Sequence, residues 1–153
     1  MSPLELKVPP LALVAGLAAA MWFVASLVPS LSFSFRGQLI ITVALATVGA
    51  IISLTGVIAF RQAQTTVDPR QPAKSASLVS SGIYRLSRNP MYVGFLLALA
   101  AWATHVSNLL AFIGLPVFVL YMNRFQIVPE EQALRAKFGS AFAEYERSVR
   151  RWL

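Results

Sequence analysis

The stretch QLIITVALATVGAIISLTGVIAF, residues 38–60, carries no charged side chain. It is long enough to cross a bilayer as a helix, which takes about 20 mostly apolar residues. Gly49 and Gly56, with Ser53 between them, place small side chains along one face of such a helix, where another helix could approach closely. This stretch therefore predicts a transmembrane helix with a packing face.

Three more apolar segments accompany it, at residues 11–28, 90–104 and 109–128. The chain is 57% hydrophobic and 12% charged, whereas soluble domains average about half apolar and about a quarter charged residues. The composition and the four segments predict an all-α integral membrane helical bundle with about four transmembrane helices. Segment 90–104 is short for a full crossing, so a tilted helix and a hairpin with unequal arms both stay open.

The 153 residues leave room for a single membrane domain and no separate soluble one. Residues 61–81 include the run DPRQP at 68–72, which predicts a loop. From Pro129 onward the chain is charged and amphipathic, which predicts a helical C-terminal tail. Gly139 is the expected break between two helices of that tail.

The basic residues indicate the orientation in the membrane. With four crossings, both termini and the loop at 61–89 share one side of the bilayer, and Arg36 lies opposite. That side holds Lys7, Arg61, Arg70, Lys74, Arg85, Arg88, Arg124, Arg135, Lys137, Arg147, Arg150 and Arg151. The asymmetry predicts a multi-pass protein of the cytoplasmic (inner) membrane with both termini in the cytoplasm. It also explains the net charge of +7 without a nucleic-acid partner.

Several kinds of site are excluded by composition. The chain has no cysteine and one histidine, His105, so disulfides, thiolate nucleophiles and histidine-rich metal sites are not expected. No G-x-G-x-x-G motif opens a helix after a strand, so a Rossmann-type nucleotide site has no support.

Two polar clusters lie at the ends of apolar segments. The first, SGIYRLSRNPMYVG at residues 81–94, directly precedes and enters the third segment, and the second, RFQIVPEEQAL at residues 124–134, ends the fourth. Polar clusters at the membrane edge of so apolar a chain usually mark a functional site. Together they predict an enzyme that holds a polar cofactor at the lipid boundary.

The runs GIYRLSRNPMYVG (82–94) and EEQALRAKFGSAFAEY (130–145) resemble the two signatures of the isoprenylcysteine carboxyl methyltransferase family and its bacterial relatives. The resemblance covers the C-terminal half, residues 78–153, and is specific because both signatures occur together. It implies methyl transfer from S-adenosylmethionine by a membrane enzyme. Where the family commonly has histidine this chain has Asn89, which can form hydrogen bonds but cannot take up a proton near neutral pH.

The resemblance also implies the residues of the site. Glu130 or Glu131 would accept hydrogen bonds from the cofactor's amino group and ribose, and adenine would rest on a tyrosine. The expected cofactor-binding residues are Tyr84, Arg88, Asn89, Pro90, Tyr92, Gly94, Glu130, Glu131 and Tyr145. Arg124, which would orient an anionic group of the acceptor, and Asn89 are the expected catalytic residues.

Each of these residues also has a structural interpretation. Asn89 and Pro90 are typical of a helix start, with asparagine as the cap. The two glutamates suit a first helical turn, and the arginines and tyrosines suit the membrane interface. The implied acceptor is a lipophilic small molecule or a lipid-linked substrate: an isoprenylcysteine-type carboxylate, or a lipid-like or small thiol or amine. A steroid-reductase-type enzyme that uses a nicotinamide cofactor, and a non-catalytic scaffold or lipid-binding protein, remain as alternatives, and the oligomeric state is not indicated.

Overall fold

The structure, a computed structural model, describes residues 5–63 and 77–153, and in these residues it contains helices and no strand. The α-helices are α1 (Pro10–Leu27), α2 (Gln38–Gln62), α3 (Pro90–Val106), α4 (Gly114–Tyr121), α5 (Val128–Phe138) and α6 (Ser140–Ser148). The predicted all-α class is confirmed. Most of the predicted loop, including residues 68–72, lies outside the described residues.

By length and composition, three helices could cross a membrane: Pro10–Leu27, Gln38–Gln62 and the long helix Leu109–Phe138. Their large apolar side chains face outward, as Ile40 does with 74% of its surface exposed, which suits contact with lipid tails. The protein is therefore a membrane protein. α3 is apolar but has 17 residues, or about 25 Å at 1.5 Å per residue, which is less than the bilayer core of about 30 Å.

The helix that contains the predicted fourth segment, residues 109–128, does not end at residue 128. The helix continues through Pro129 to Phe138, with a π-helical turn at Met122–Ile127 between α4 and α5. Pro129 has no N–H to bond the Phe125 carbonyl four residues earlier. That carbonyl instead accepts a hydrogen bond of 3.0 Å from the Leu6 N–H, so the segment before α1 satisfies the group that proline leaves unpaired.

α2 and α3 pack together through glycine. A Cβ built on Gly94 would overlap Ser53 Oγ and lie 2.5 Å from the Gly49 carbonyl oxygen. A Cβ on Gly49 would in turn lie 2.7 Å from the Gly94 carbonyl oxygen, and one on Gly56 would lie 2.7 Å from Met91 Cγ. The small residues of residues 38–60 thus form the predicted packing face, and α3 supplies the matching glycine.

The opposite end of the bundle is held by polar side chains. Asn108 is fully buried, and its amide nitrogen donates to the Val28 carbonyl and to Ser32 Oγ. Gln38 donates to Ser107 Oγ and to the Thr104 carbonyl at the end of α3. These bonds tie the α1–α2 connection to the α3–α4 turn, so α3 is fixed at the end farthest from the two polar clusters.

We expect Gly94→Ala to destabilise the protein by about 1–3 kcal/mol, because the added methyl group must push α2 and α3 apart. Thermal unfolding in detergent, followed by circular dichroism, measures the change. Gly16→Ala is the matched control, because a Cβ there meets nothing within 4 Å. Equal melting temperatures for the two variants would contradict the close crossing at Gly94.

Candidate functional site

A buried ion cluster joins the start of α3, α5 and the C-terminal tail. Glu131 Oε1 accepts from Arg88 Nη2 at 2.8 Å and from Arg151 Nε at 3.1 Å, and Glu131 Oε2 accepts from Arg151 Nη2 at 2.6 Å. The side chains of Glu131 and Arg88 are only 9% and 10% exposed. The Glu131 bonds raise the pKa of Arg151, which keeps that guanidinium charged. Two of the predicted site residues, Arg88 and Glu131, are therefore in direct contact.

Arg88 is held on three sides and has one unused donor. Its Nη1 donates to the carbonyls of Glu146, at 2.9 Å, and Val149, at 2.8 Å. Its Nε is buried and has no hydrogen-bond partner within the described part of the chain. An unsatisfied buried donor costs about 1–3 kcal/mol, more where the group is charged. A ligand with an anionic or carbonyl oxygen at this point would remove that cost.

Glu146 extends the cluster to the protein surface. It pairs with Arg135, and its Oε1 lies 3.6 Å from Arg88 Nη2. The hydrogen bond from Arg135 lowers the pKa of the Glu146 carboxyl, so it stays ionised. Because α6 carries Glu146 and α5 carries Arg135, this pair links the two helices of the tail, which meet at Gly139 with φ +53°.

Asn89 lies at the start of α3 but does not cap the helix with its side chain, contrary to the structural interpretation. Its Nδ2 donates to the Arg151 carbonyl at 2.9 Å. Pro90 occupies the first helical position, as the sequence indicates. The amide of Asn89 thus faces the C-terminal tail, beside the Arg88–Glu131 pair.

A second polar contact involves Glu130, which directly precedes Glu131 on α5. The Tyr92 hydroxyl donates to Glu130 Oε2 at 3.0 Å, and the buried Gln126 side chain bonds to the same pair. Glu130 has no arginine partner in the described residues, unlike Glu131. The two adjacent glutamates are therefore in different electrostatic settings.

Tyr84 and Tyr145 form an aromatic wall beside these groups. The Tyr145 hydroxyl donates to the Tyr84 carbonyl at 2.7 Å, and the Tyr84 ring packs edge-on against Phe60 at 5.3 Å. Burial raises the pKa of both phenols, and for Tyr84 the nearby charge of Glu130 raises it further, so both remain neutral. Tyr145 and Val149 also line an open groove of about 530 Å³ between α6 and residues 78–85.

Two predicted site residues lie apart from this cluster. Gly94 lies at the α2–α3 crossing, where close packing already requires glycine. Arg124 is exposed on the π-helical turn and has no hydrogen bond or ion pair with any residue the structure describes. An uninterrupted α-helix would place Arg124 and Glu131 on the same face. Here they lie on different faces, because the π turn adds a residue: the Val128 N–H bonds to the carbonyl of Asn123, five residues earlier.

Sequence reasoning missed Gln126 and Arg151. Gln126 was visible as an amide near the end of an apolar span, a position where a polar side chain needs a buried partner. Arg151 gave no comparable signal, because it is one of several basic residues in a charged C-terminal tail. The described residues contain no cluster of histidine, cysteine and acidic side chains able to hold a metal ion.

Comparison with known proteins agrees with the two signatures. A protein of Haemophilus influenzae, described as uncharacterized, is 46% identical over 63 residues, which are 41% of this chain and the whole of that protein. The model of the phospholipid methyltransferase family matches residues 37–141, which include α2, α3, the long helix and both glutamates. This is the isoprenylcysteine carboxyl methyltransferase-like family that the signatures resemble. With more than half of its length matched, the chain belongs to the phospholipid methyltransferase family of membrane proteins.

Proposed function

We propose that this protein is an S-adenosylmethionine-dependent methyltransferase of the cytoplasmic membrane that acts on a lipophilic acceptor. The family supports methyl transfer. The observation that carries the proposal is the buried Nε of Arg88, which has no hydrogen-bond partner among residues 5–63 and 77–153 and lies near Glu130 and Glu131 at the ends of apolar helices.

The side chains of Arg88 and Glu130 suit the two ionic groups at the methionine end of the cofactor. Arg88 Nε would donate to the carboxylate, and the Glu130 carboxyl, which no arginine of the described residues contacts, would accept from the ammonium group or the ribose hydroxyls. The aromatic wall of Tyr84 and Tyr145 would hold the adenine. The groove of about 530 Å³ beside Tyr145 shares only that residue with the proposed cofactor contacts, so the groove itself is not proposed as the cofactor site.

Bound S-adenosylmethionine would supply a methyl group on a positively charged sulfur, which is transferred by in-line displacement and leaves S-adenosylhomocysteine. The protein contributes orientation and the exclusion of water. Asn89 would act through hydrogen bonds and not as a base, because an amide takes up no proton near neutral pH. Its Nδ2 is engaged by the tail, which leaves its side-chain oxygen to accept.

The acceptor would arrive from the bilayer. Leu54 and Ile58 on α2 are at least half exposed near the cytoplasmic end of the bundle, so lipid chains can lie against that end. The family description favours a phospholipid acceptor, and isoprenylcysteine-type carboxylates and small thiols or amines are the other candidates. Arg124, exposed on the π turn, would bind an anionic group of the acceptor.

Calorimetry tests the cofactor site. We expect S-adenosylhomocysteine to bind the protein in lipid or detergent, and the reduced nicotinamide dinucleotide phosphate not to bind. Arg88→Gln should weaken binding by about 10–100-fold, since a hydrogen bond to a charged group contributes about 1.5–3 kcal/mol. Arg147→Gln is the control, because Arg147 is exposed on α6 and does not line the groove.

Arg88 also stabilises the fold, so a second variant separates binding from folding. Glu130→Gln leaves the contacts of Glu131 with Arg88 and Arg151 intact and replaces one carboxyl oxygen by an amide NH₂ group. It should lower affinity while the melting temperature stays within a few degrees of the wild type. Wild-type protein that binds the nicotinamide dinucleotide instead would refute the methyltransferase proposal.

Arg124→Ala should lower turnover at least about tenfold and leave the affinity for S-adenosylhomocysteine unchanged, because Arg124 lies outside the cofactor cluster. Transfer of a radiolabelled methyl group from S-adenosylmethionine to a membrane lipid extract measures turnover. The control is Arg147→Ala, which removes an exposed cation from α6. Equal losses of turnover and cofactor affinity in Arg124→Ala would count against a role in acceptor binding.

The orientation can be tested cleanly because the native chain contains no cysteine. We expect Ser34→Cys, in the α1–α2 connection, to react with a membrane-impermeant maleimide in intact spheroplasts. Arg147→Cys, on α6, should react only after the membrane is opened. The reverse pattern would place both termini outside the cytoplasm.

A further inference from the structure

Residues 149–152 follow α6 without regular secondary structure, and we call this segment the C-terminal clasp. We propose that the clasp, acting through Arg151, is a positioning element for the cofactor site. On this proposal Glu131 does not contact the cofactor; together with Arg151 it holds Arg88 so that the Arg88 Nε faces the ligand. The proposal rests on the proposed function and assigns the two adjacent glutamates different tasks.

The charges around Glu131 support this assignment. Its carboxylate accepts three hydrogen bonds from two guanidinium groups, and an ionised carboxylate has about four acceptor positions in all. Two positive charges already face its single negative charge in a buried setting. A third cation, such as the ammonium of an amino acid, would be repelled here and is better received by Glu130.

The backbone of the clasp fixes the loop that carries Arg88. The Arg88 N–H donates to the Arg150 carbonyl at 2.9 Å. The Arg151 carbonyl accepts from Asn89 Nδ2 at 2.9 Å and from Ser87 Oγ at 3.4 Å. The side chain and main chain of Arg151 thus bond to both ends of the cluster, the start of α3 and α5.

The clasp is also anchored to the π turn. Trp152 Nε1 donates to Asn123 Oδ1 at 3.0 Å, and its ring packs edge-on against Phe118 at 6.5 Å. The clasp therefore runs from the first polar cluster to the second and fixes the distance between them. If Arg151 releases Glu131, the second anchor of the Glu131 carboxylate is lost, and only the carbonyls of Glu146 and Val149 still hold Arg88 in a fixed position.

The test compares Arg151→Gln with Arg150→Gln. Both remove one positive charge from neighbouring positions, but the side chain of Arg150 is exposed and bonds to no described residue. For Arg151→Gln we expect at least tenfold weaker binding of S-adenosylhomocysteine and a raised KM for S-adenosylmethionine, with kcat at saturation little changed. Arg151→Lys should recover part of the affinity, because lysine keeps the charge but not the paired donors. Arg150→Gln should bind like the wild type.

A merely structural role of Arg151 would not raise KM while leaving kcat at saturation little changed. A second measurement, made without ligand, reports whether the clasp has moved. Tryptophan emission should shift to longer wavelength and become more accessible to acrylamide in Arg151→Gln and not in Arg150→Gln, because Trp152 follows Arg151 directly. Glu131→Gln and the double variant Glu131→Gln/Arg151→Gln should bind about as weakly as Arg151→Gln alone, since the two residues act as one unit.

The outcomes separate the two proposals. Unchanged or tighter cofactor binding in Arg151→Gln would overturn the clasp alone, because Glu131 would then be free to serve the ligand directly. Additive losses in the double variant would likewise show Glu131 to be an independent contact. Failure of the wild-type protein to bind S-adenosylhomocysteine would overturn the proposed function, and with it the clasp.

Discussion

The buried carboxylate of Glu131, held between Arg88 and Arg151, is the interaction on which the polar end of the bundle depends. A charge buried to this degree is tolerated only with partners, and removing one partner of such a pair typically costs about 3–5 kcal/mol. The three residues come from the start of α3, from α5 and from the clasp. One carboxylate thus determines how three segments distant in sequence are placed around the proposed cofactor site.

The rest of the bundle shows why so much depends on polar contacts. Lipid tails are as apolar as the outer faces of α1 and α2, so burying those faces drives helix association only weakly. The specific packing of the helices comes instead from polar and close contacts. Helices α2 and α3 touch at Gly94, Trp102 donates to the Ala18 carbonyl, and Asn108 donates to the Val28 carbonyl. Because α3 is fixed at its middle and far end, its first turn is presented rigidly to Glu130 and Glu131.

The predictions from sequence were most accurate where a residue pattern has a single, local physical cause. The four apolar runs each coincide with a helical stretch, Pro90 marked the start of α3, and Gly139 marked the break in the tail. The paired signatures brought together Arg88 with Glu131 and Tyr92 with Glu130, which are contacts in the structure. Arg151, the other partner of Glu131, was not predicted, because the sequence of a basic tail does not indicate that it folds back onto α5. Which residue meets which cofactor atom stays a prediction.

The π turn was the other feature that local pattern could not resolve, and its cause lies outside the helix. Pro129 signalled an end to the span, yet the helix passes through it because the Leu6 N–H bonds to the Phe125 carbonyl. With that carbonyl satisfied, the chain can widen one turn and continue as α5 instead of breaking. The wider turn exposes Arg124 and buries Glu131, so one stretch of helix offers a cation to the membrane edge and a carboxylate to the interior. The proposed methyl transfer from a polar cofactor to a lipid-borne acceptor would need such a division, and here one proline and one backbone hydrogen bond accompany it.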